Sequence, residues 1–197
     1  MAFLDKIAGK INDSLKASIF TGNAYQGAKW FGLAETIKRD SGEGIDYVVA
    51  EYDNGNITEC SPNDVYPMMI YHRHLGSTFE KISNGGFGDD TNITRENASM
   101  VMIVYGDRKR LQITPDLLAS GISANLPISI SNTDLHNLSI SFCEMRGEGV
   151  TFDKDLIWRG EYQTNDNPFG VEKIYFALRY TVELHYFGGC FNICFNC

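Results

Sequence analysis

Residues 172–186 read EKIYFALRYTVELHY, and this stretch decides the fold. Every second residue from Ile174 to Tyr186 is apolar or aromatic, whereas the residues between them are mostly polar. An alternation of period two places these two sets on opposite faces of a β-strand, while a helix would scatter the apolar set around its circumference. The stretch therefore predicts a long strand of an antiparallel sheet, with one face on a core and the other partly in water.

The length and composition predict one folded domain over residues 1–197. The chain is 43% hydrophobic, which excludes the class of disordered proteins, and 197 residues are enough to bury a sizeable core. The formal net charge of −8 argues against general nucleic-acid binding, because such binding needs a basic face. An acidic chain is also what simple solubility favours.

The first twenty residues and the cysteine count predict the compartment. Charged residues are spread through residues 1–20 without an apolar central block, so we expect no secretory signal. No apolar run is long enough to span a bilayer, so we expect no membrane partner. The chain has five cysteines, and an odd number in a chain with an ample core favours a reduced, cytosolic protein.

Two segments carry helix signals. Within residues 1–22, apolar residues recur at spacings of three and four and predict an amphipathic N-terminal helix: Phe3, Leu4, Ile7, Ile11, Leu15 and Ile19. The apolar stripe of this helix must dock either on the chain's own sheet or on a neighbouring subunit. A second helix is predicted from Thr114 to Leu126, because Thr-Pro-Asp at 114–116 is typical of a helix start.

Further segments predict strands. Residues 98–105 are almost continuously apolar, which indicates a central strand covered on both faces. The other predicted strands are Trp30–Lys38 and Ile45–Tyr52, joined as a hairpin, then Met68–Ile82, Leu138–Phe142 and Ile157–Tyr162. The predicted fold class is α+β, a mostly antiparallel sheet with the N-terminal amphipathic helix and a second helix packed on it.

Residues 83–97 predict a long projecting loop. This segment contains almost nothing that can be buried and is rich in Asn, Gly and Asp. A connector of this length inside a compact domain is usually functional or mobile. We interpret it as a projecting loop or the tip of a long hairpin.

The Cys-rich C-terminal tail, residues 188–197, has the spacing C-x3-C-x2-C at Cys190, Cys194 and Cys197. Three close thiolates suit an iron–sulfur cluster, but the motif ends a small β-rich chain instead of lying early in a large α/β barrel. A structural zinc with His185 as fourth ligand is a chemical alternative. We favour a hydrophobic tail held in a groove or a subunit contact, so no cofactor or metal ligand is predicted.

For three polar clusters we favour a structural or solvent-exposed position over a functional site. His72-Arg73-His74 has no third ligand at a defined spacing and is expected on an exposed strand face. Asp153 and Asp155 are expected to be solvated turn residues. Arg108-Lys109-Arg110 is expected to be a basic turn between strand and helix, or an edge that forms a salt bridge to an acidic neighbour. The chain lacks the G-x-S-x-G, phosphate-loop and H-E-x-x-H motifs. A triad assembled from distant positions leaves no sequence signature, so no catalytic residue is predicted.

The order of several parts resembles the neck and tail-completion proteins of long-tailed bacteriophages, in particular the tail-terminator family. The resemblance covers residues 98–187. Its parts are the apolar strand Met100–Tyr105, the helix Thr114–Leu126, the sequences FD at 152–153 and IWRGEY at 157–162, and the strand YFALRYTV at 175–182. It is a pattern of architecture and not a signature motif, and neither the first helix nor the Cys-rich tail belongs to it.

The resemblance implies a non-enzymatic virion protein, assembled in the host cytoplasm, that forms a homo-oligomeric ring. Such a ring ends the tail tube, joins it to the head connector and lets DNA pass through its lumen. In that setting the loop and the tail would make subunit or partner contacts, through Phe87, Asp89, Asp90, Arg95, Phe187, Phe191 and Phe195. The alternative functions are a small protein- or ligand-binding module and, after it, a small enzyme.

Overall fold

The computed structural model describes residues 2–22, 25–40, 45–53, 56–61, 64–83, 92–127, 140–157 and 172–187. These residues form helices on β-sheets, which confirms the predicted α+β class. The helices are α1 (Ala2–Ser18), α2 (Arg108–Leu111), α3 (Pro115–Asn125) and α4 (Lys154–Ile157). The strands are β1 (Lys29–Leu33), β2 (Glu35–Asp40), β3 (Ile45–Asp53), β4 (Asn56–Glu59), β5 (Met68–Ser83), β6 (Asn92–Asp107), β7 (Ile140–Thr151) and β8 (Lys173–Phe187).

The main sheet has five strands in the order β1-β5-β6-β8-β7. Its pairs are antiparallel except β1 with β5, which is parallel. The long strand predicted from the alternating stretch at 172–186 is confirmed as β8. Six of the seven alternate apolar side chains are described, and all six are buried: Ile174, Phe176, Leu178, Tyr180, Val182 and Leu184.

Strand β6 lies at the centre of this sheet, as its apolar run predicts. Met100, Met102 and Val104 point into one core, whereas Val101, Ile103 and Tyr105 point into another. We call the first side of the sheet the helix face and the second side the outer face. Because both faces are covered at residues 98–105, this strand does not need polar positions there.

Helices α1 and α3 pack on the helix face. Leu4, Ile7, Ile11 and Leu15 of α1 are buried at spacings of three and four, and each contributes about 1.5–3 kcal/mol through loss of apolar surface. Helix α3 begins where it was predicted, with the Thr114 hydroxyl accepting a hydrogen bond from the Leu117 backbone amide. Its buried side chains are Leu118, Ala119 and Ile122.

Strands β2, β3 and β4 form a separate three-stranded sheet. Residues from this part of the chain, among them Val49, share the outer-face core with Tyr71 and Ile103. The predicted single strand Trp30–Lys38 is wrong, because the chain changes sheet at Ala34. The backbone amide of Ala34 donates to the carbonyl of His72, and this bond lies at the end of β1 beside β5. The next residues, Glu35–Asp40, form β2 and pair with β3.

The predicted loop over 83–97 is wrong for its second half. Residues 92–97 belong to β6 and pair with β5 on one side, from Asn97 with Thr78 to Asn92 with Ser83. From Ile93 onward they also pair with β8 on the other side. Polar side chains are compatible with a strand whose outer face meets water, so polarity alone did not indicate a loop here. Residues 84–91 lie outside the described residues.

Two other predicted elements differ from the structure. Ile157, the first residue of the predicted strand 157–162, ends helix α4, and residues 158–162 lie outside the described residues. Residues 140–142 of the predicted strand Leu138–Phe142 belong to β7, which runs on to Thr151, and residues 138 and 139 lie outside the described residues. The Cys-rich tail at 188–197 also lies outside the described residues.

Candidate functional site: two open edges of the main sheet

The first open edge belongs to β5. Strand β1 pairs with β5 only from Met69 to His72, whereas β5 continues to Ser83. From His74 onward β5 pairs with β6 on its inner side, and no other described strand lies along its outer side. Unpaired backbone N–H and C=O groups along such a stretch are a template for another strand.

The second open edge belongs to β7, the last strand on the other side of the sheet. It pairs with β8 from Ile140 with Tyr186 to Thr151 with Ala177, and no described strand lies beyond it. Its residues from Arg146 to Val150 are exposed. A bulge between Gly147 and Gly149 interrupts its pairing with β8.

The two open edges lie on opposite sides of the sheet and are aligned with each other across the strands between them. The β8 residues that pair with β7 are aligned, through β6, with the part of β5 that runs from Tyr71 to Lys81. Strand β5 is antiparallel to β6 and β8 is antiparallel to β6, so β7 runs opposite to β5. The open edge of β5 therefore has the correct direction to extend an antiparallel sheet from the β7 edge of a second copy.

A groove of about 460 Å³ lies on the helix face beside the β7 edge. The C-terminal end of α3 and the turn after it form one wall, and β7 and β8 form the floor. The apolar lining includes Leu126, Met145, Val150 and Leu178. Gly147 lies in this lining, and a Cβ atom added there would meet no other atom within 4 Å. The groove is therefore open above Gly147.

The outer face between the two edges carries ion pairs near the C-terminal ends of β5 and β8. The Arg95 guanidinium pairs with Glu80 across β6 and β5. On β7, Arg146 Nε lies 3.1 Å from Glu144 Oε1, and on β8, His185 Nε2 lies 2.8 Å from Glu183 Oε1. Glu80 and Arg146 lie next to the two open edges and are both well exposed, at 60% and 68% of their side chains.

A buried polar chain crosses the helix-face core. The Tyr180 hydroxyl lies 2.9 Å from His72 Nδ1, and His72 Nε2 lies 2.9 Å from Asn12 Oδ1. Asn12 Nδ2 donates to the carbonyl of Phe31 at 2.8 Å, so its Oδ1 is an acceptor and the His72 proton belongs on Nε2. Burial lowers the pKa of His72 to about 3 and raises the pKa of Tyr180 well above its ordinary value.

The predicted position of His72, on an exposed strand face, is wrong. The His72 side chain is 0% exposed, because α1 covers this part of β5 and Asn12 supplies the partner that a buried imidazole requires. All of its polar atoms are matched within the protein. The arrangement joins α1 to β5 and β8 and is structural in character.

A second polar cluster lies at the bulge of β5 near Gly76. His74 Nε2 lies 2.8 Å from Ser77 Oγ, which donates to Glu96 Oε1 at 2.5 Å. In a Ser-His-Asp triad the imidazole lies between the nucleophile and the acid, whereas here the serine lies between His74 and Glu96. The geometry therefore orders the β5–β6 bulge and does not reproduce the relay of a triad.

The cysteine and metal hypotheses are tested only in part. Cys60 is buried, and burial, followed by the nearby Glu51 carboxylate, raises its pKa to about 12. Within the described ranges, no group of three or more His, Cys, Asp or Glu side chains is arranged to hold a metal ion. His185, the proposed fourth zinc ligand, lies on β8, and the cysteines at 190, 194 and 197 lie outside the described residues.

The predicted contact residues are only partly described. Arg95 lies in β6 and is engaged with Glu80 inside the chain. Phe187 is the last residue of β8, where it pairs with Ile93, and its side chain is not among those described. Phe87, Asp89, Asp90, Phe191 and Phe195 lie outside the described residues.

The other two polar clusters lie at the short helices α2 and α4 and make local structural contacts. The basic sequence 108–110 forms the short helix α2, which Asp107 caps by accepting hydrogen bonds from the backbone amides of Lys109 and Arg110. Lys109 pairs with Glu172, which agrees with the predicted ion pair to an acidic neighbour, whereas the predicted turn is a short helix. Asp153 begins α4 through its backbone carbonyl, which accepts from the amides of Leu156 and Ile157.

The sequence analysis missed the two open edges and the groove between β7 and α3. The edges depend on which strands are neighbours, and strand order is not encoded in any one segment. One signal was available: the sequence RGEG at 146–149 places two glycines within a strand, which often marks a bulge or a site of close approach.

No protein-family model matches the chain, and no curated protein matches it. The resemblance to tail-terminator proteins therefore stays a prediction. As to membranes, none of the described helices has the length and apolar content that crossing a bilayer demands.

Proposed function

We propose that this chain is a non-enzymatic structural protein of a phage neck or tail, which assembles into a homo-oligomeric ring in the virion. The observation that carries the proposal is the pair of open edges, aligned with each other and on opposite sides of one sheet. Because the edges differ from each other, each copy uses one edge on each neighbour. Such head-to-tail contacts generate rings when the rotation between neighbours closes.

The energetics of the sheet favour this mode of assembly. Five-stranded sheets with two long free edges tend to associate unless bulges, charges or covering segments prevent it. Pairing of β7 with β5 of a neighbour would satisfy backbone groups on both strands and continue the antiparallel order. Side chains on both faces, including the exposed Phe79, would then lose apolar surface to water.

The acidic charge agrees with the phage role. A ring around passing DNA should not bind it tightly, and a net charge of −8 disfavours such binding. The ring would contact a tail-tube protein on one side and a head-connector protein on the other. Assembly would take place in the host cytoplasm.

The experiment is a measurement of oligomeric state. Purified full-length protein is concentrated and analysed by native mass spectrometry and by negative-stain electron microscopy. We expect closed rings of one defined subunit number. A strict monomer at the highest soluble concentration would contradict the ring proposal.

A second candidate is a binding module that accepts an extended segment of another protein. The same open edge of β5 favours it, because strand addition to a free edge is a common mode of peptide recognition. In that case the purified chain stays monomeric and a partner peptide, not a second copy, protects the β5 amides from exchange.

A further inference from the structure

We propose a specific subunit contact, in which Phe79 of one copy lies over Gly147 of the next copy and enters the groove beside β7. The inference rests on the proposed ring and adds to it the residues and the register of the contact. Two large apolar side chains of the open β5 stretch are exposed, and Phe79 is the more accessible, with 67% of its surface accessible against 46% for Leu75. The described part of the chain leaves this ring largely in water.

The faces of the two strands agree with this contact. Phe79 pairs with Glu96, which is aligned through β6 and β8 with the helix-face residue Leu184. Gly147 pairs with Tyr180, which also points to the helix face. Phe79 and Gly147 therefore lie on the same side of the extended sheet, the side on which the groove opens.

Gly147 is a suitable position opposite an aromatic ring. A glycine in a strand leaves its neighbours without a side chain to pack against, and an aromatic residue on the next strand can cover it. The groove above Gly147 is open and lined by Met145, Leu126 and Leu178. Burial of a phenylalanine ring there would remove most of its apolar surface from water.

Charge complementarity fixes the register. When Phe79 lies opposite Gly147 in an antiparallel pair, Glu80 lies opposite Arg146. Both of these side chains are on the outer face, since Glu80 pairs with Arg95 and Arg146 pairs with Thr181. Opposite charges placed directly across from each other stabilise a strand pair, whereas like charges destabilise it. In a register two residues away, Glu80 would meet Glu144.

The register also implies a stagger between neighbouring copies. Within one chain, Phe79 is aligned through β6 and β8 with Cys143, whereas the contact places it opposite Gly147. The shift is four residues, or about 13 Å at the rise of a strand. A constant stagger tilts the strands in the way that closure of a sheet into a barrel requires.

The test combines charge reversal with a block of the groove. We expect Glu80→Arg and Arg146→Glu each to weaken subunit association about tenfold or more, and the double variant E80R/R146E to restore most of it. Phe79→Ala should weaken association by a similar factor. Gly147→Leu should do the same, since its side chain would occupy the place of the ring.

Lys109 and Glu172 supply matched controls. They form an ion pair with similar exposure, 70% and 57%, at a distance from both edges. Lys109→Glu and Glu172→Lys make the same changes of charge as the test variants and should leave association unchanged. Thermal melting of each variant verifies that it folds, and Phe79→Ala alone keeps the test independent of the ion pairs that Glu80 and Arg146 make within the chain.

The outcomes separate this inference from the proposed function. If the wild-type protein forms rings that none of these variants weakens, the contact is wrong and the ring proposal stands. If single reversals weaken the ring and the double variant does not restore it, the register is wrong. A wild-type chain that never associates overturns both.

Discussion

At the scale of single residues, the buried chain Tyr180-His72-Asn12 shows how a strand that looks polar can belong to the core. A neutral imidazole has one donor and one acceptor, and this site supplies a partner for each. These two hydrogen bonds offset the free-energy cost of burying His72, but only when the imidazole is neutral. The energetic consequence is a dependence of stability on pH.

We expect acid to destabilise the fold through His72. The unfolded histidine binds a proton near pH 6.5, whereas in the folded protein its pKa is about 3. Between these values the unfolded state holds more protons, so the free energy of unfolding falls as the pH is lowered, by up to about 1.4 kcal/mol per pH unit. The contribution is fully present above pH 6.5.

Urea unfolding of wild type and His72→Gln from pH 7 to pH 4 measures this effect. The glutamine can donate to Asn12 and accept from Tyr180, so the variant should fold, with a loss of about 1–3 kcal/mol at pH 7. Its free energy of unfolding should decline less steeply with acid than that of the wild type. Equal slopes would show that the pKa of His72 is not lowered in the native state.

A second expectation concerns Tyr180. Replacement by Phe keeps the ring and removes the hydroxyl, which leaves His72 Nδ1 buried without its donor. An unmatched buried acceptor costs about 1–3 kcal/mol. Tyr25→Phe is the control, since its side chain is only half-buried, and a denaturant titration should show a smaller loss for it. Equal losses in the two variants would remove the energetic role of this hydrogen bond.

At the scale of elements, the cap of α3 provides a clean test of a prediction made from sequence. Thr114→Ala should lower the free energy of unfolding by about 0.5–2 kcal/mol, because the Leu117 amide loses the acceptor given by the Thr114 hydroxyl. Ser120→Ala, at an exposed position within the same helix, should be neutral or slightly stabilising. Circular dichroism during thermal unfolding measures both variants.

Elements with strong periodicity were predictable from sequence, and elements defined by their neighbours were not. Strand β8 follows from the alternation around Tyr180, and β6 follows from the apolar run that ends at Tyr105. In contrast, the change of sheet at Ala34 depends on a backbone hydrogen bond to β5, and the strand at 92–97 depends on two flanking strands. A single segment carries no information on such partners.

The candidate site was hidden from the sequence for the same physical reason. An open edge is a property of strand order, and Gly147 and Phe79 have meaning only once their strands lie at opposite ends of one sheet. The sequence analysis identified residues 83–97 as unusual, because this segment contains few residues that can be buried. It did not reveal that residues 92–97 are extended backbone, nor that no other described strand lies along the outer side of β5 from His74 onward.

At the scale of the whole molecule, one sheet serves both as the core of the chain and as its surface of assembly. The central strand β6 is paired on both sides along almost all of its length. Among the described strands, β7 and the part of β5 from His74 onward have a partner on one side. Stability is therefore highest in the middle of the sheet and lowest at its edges. This gradient predicts how hydrogen exchange should change on assembly.

We expect ring formation to protect two segments that are far apart within one chain, residues 74–83 and 143–151. Each gains interstrand hydrogen bonds in the ring, and at about 1 kcal/mol for each bond the exchange of the newly bonded amides should slow by about fivefold or more. Exchange in dilute and in concentrated protein, followed by mass spectrometry, measures this. Peptides from α3 and from the centre of β6 serve as internal controls, because their backbone partners do not change. Protection of only one of the two segments would favour the binding-module alternative, since a head-to-tail ring must use both edges of every copy.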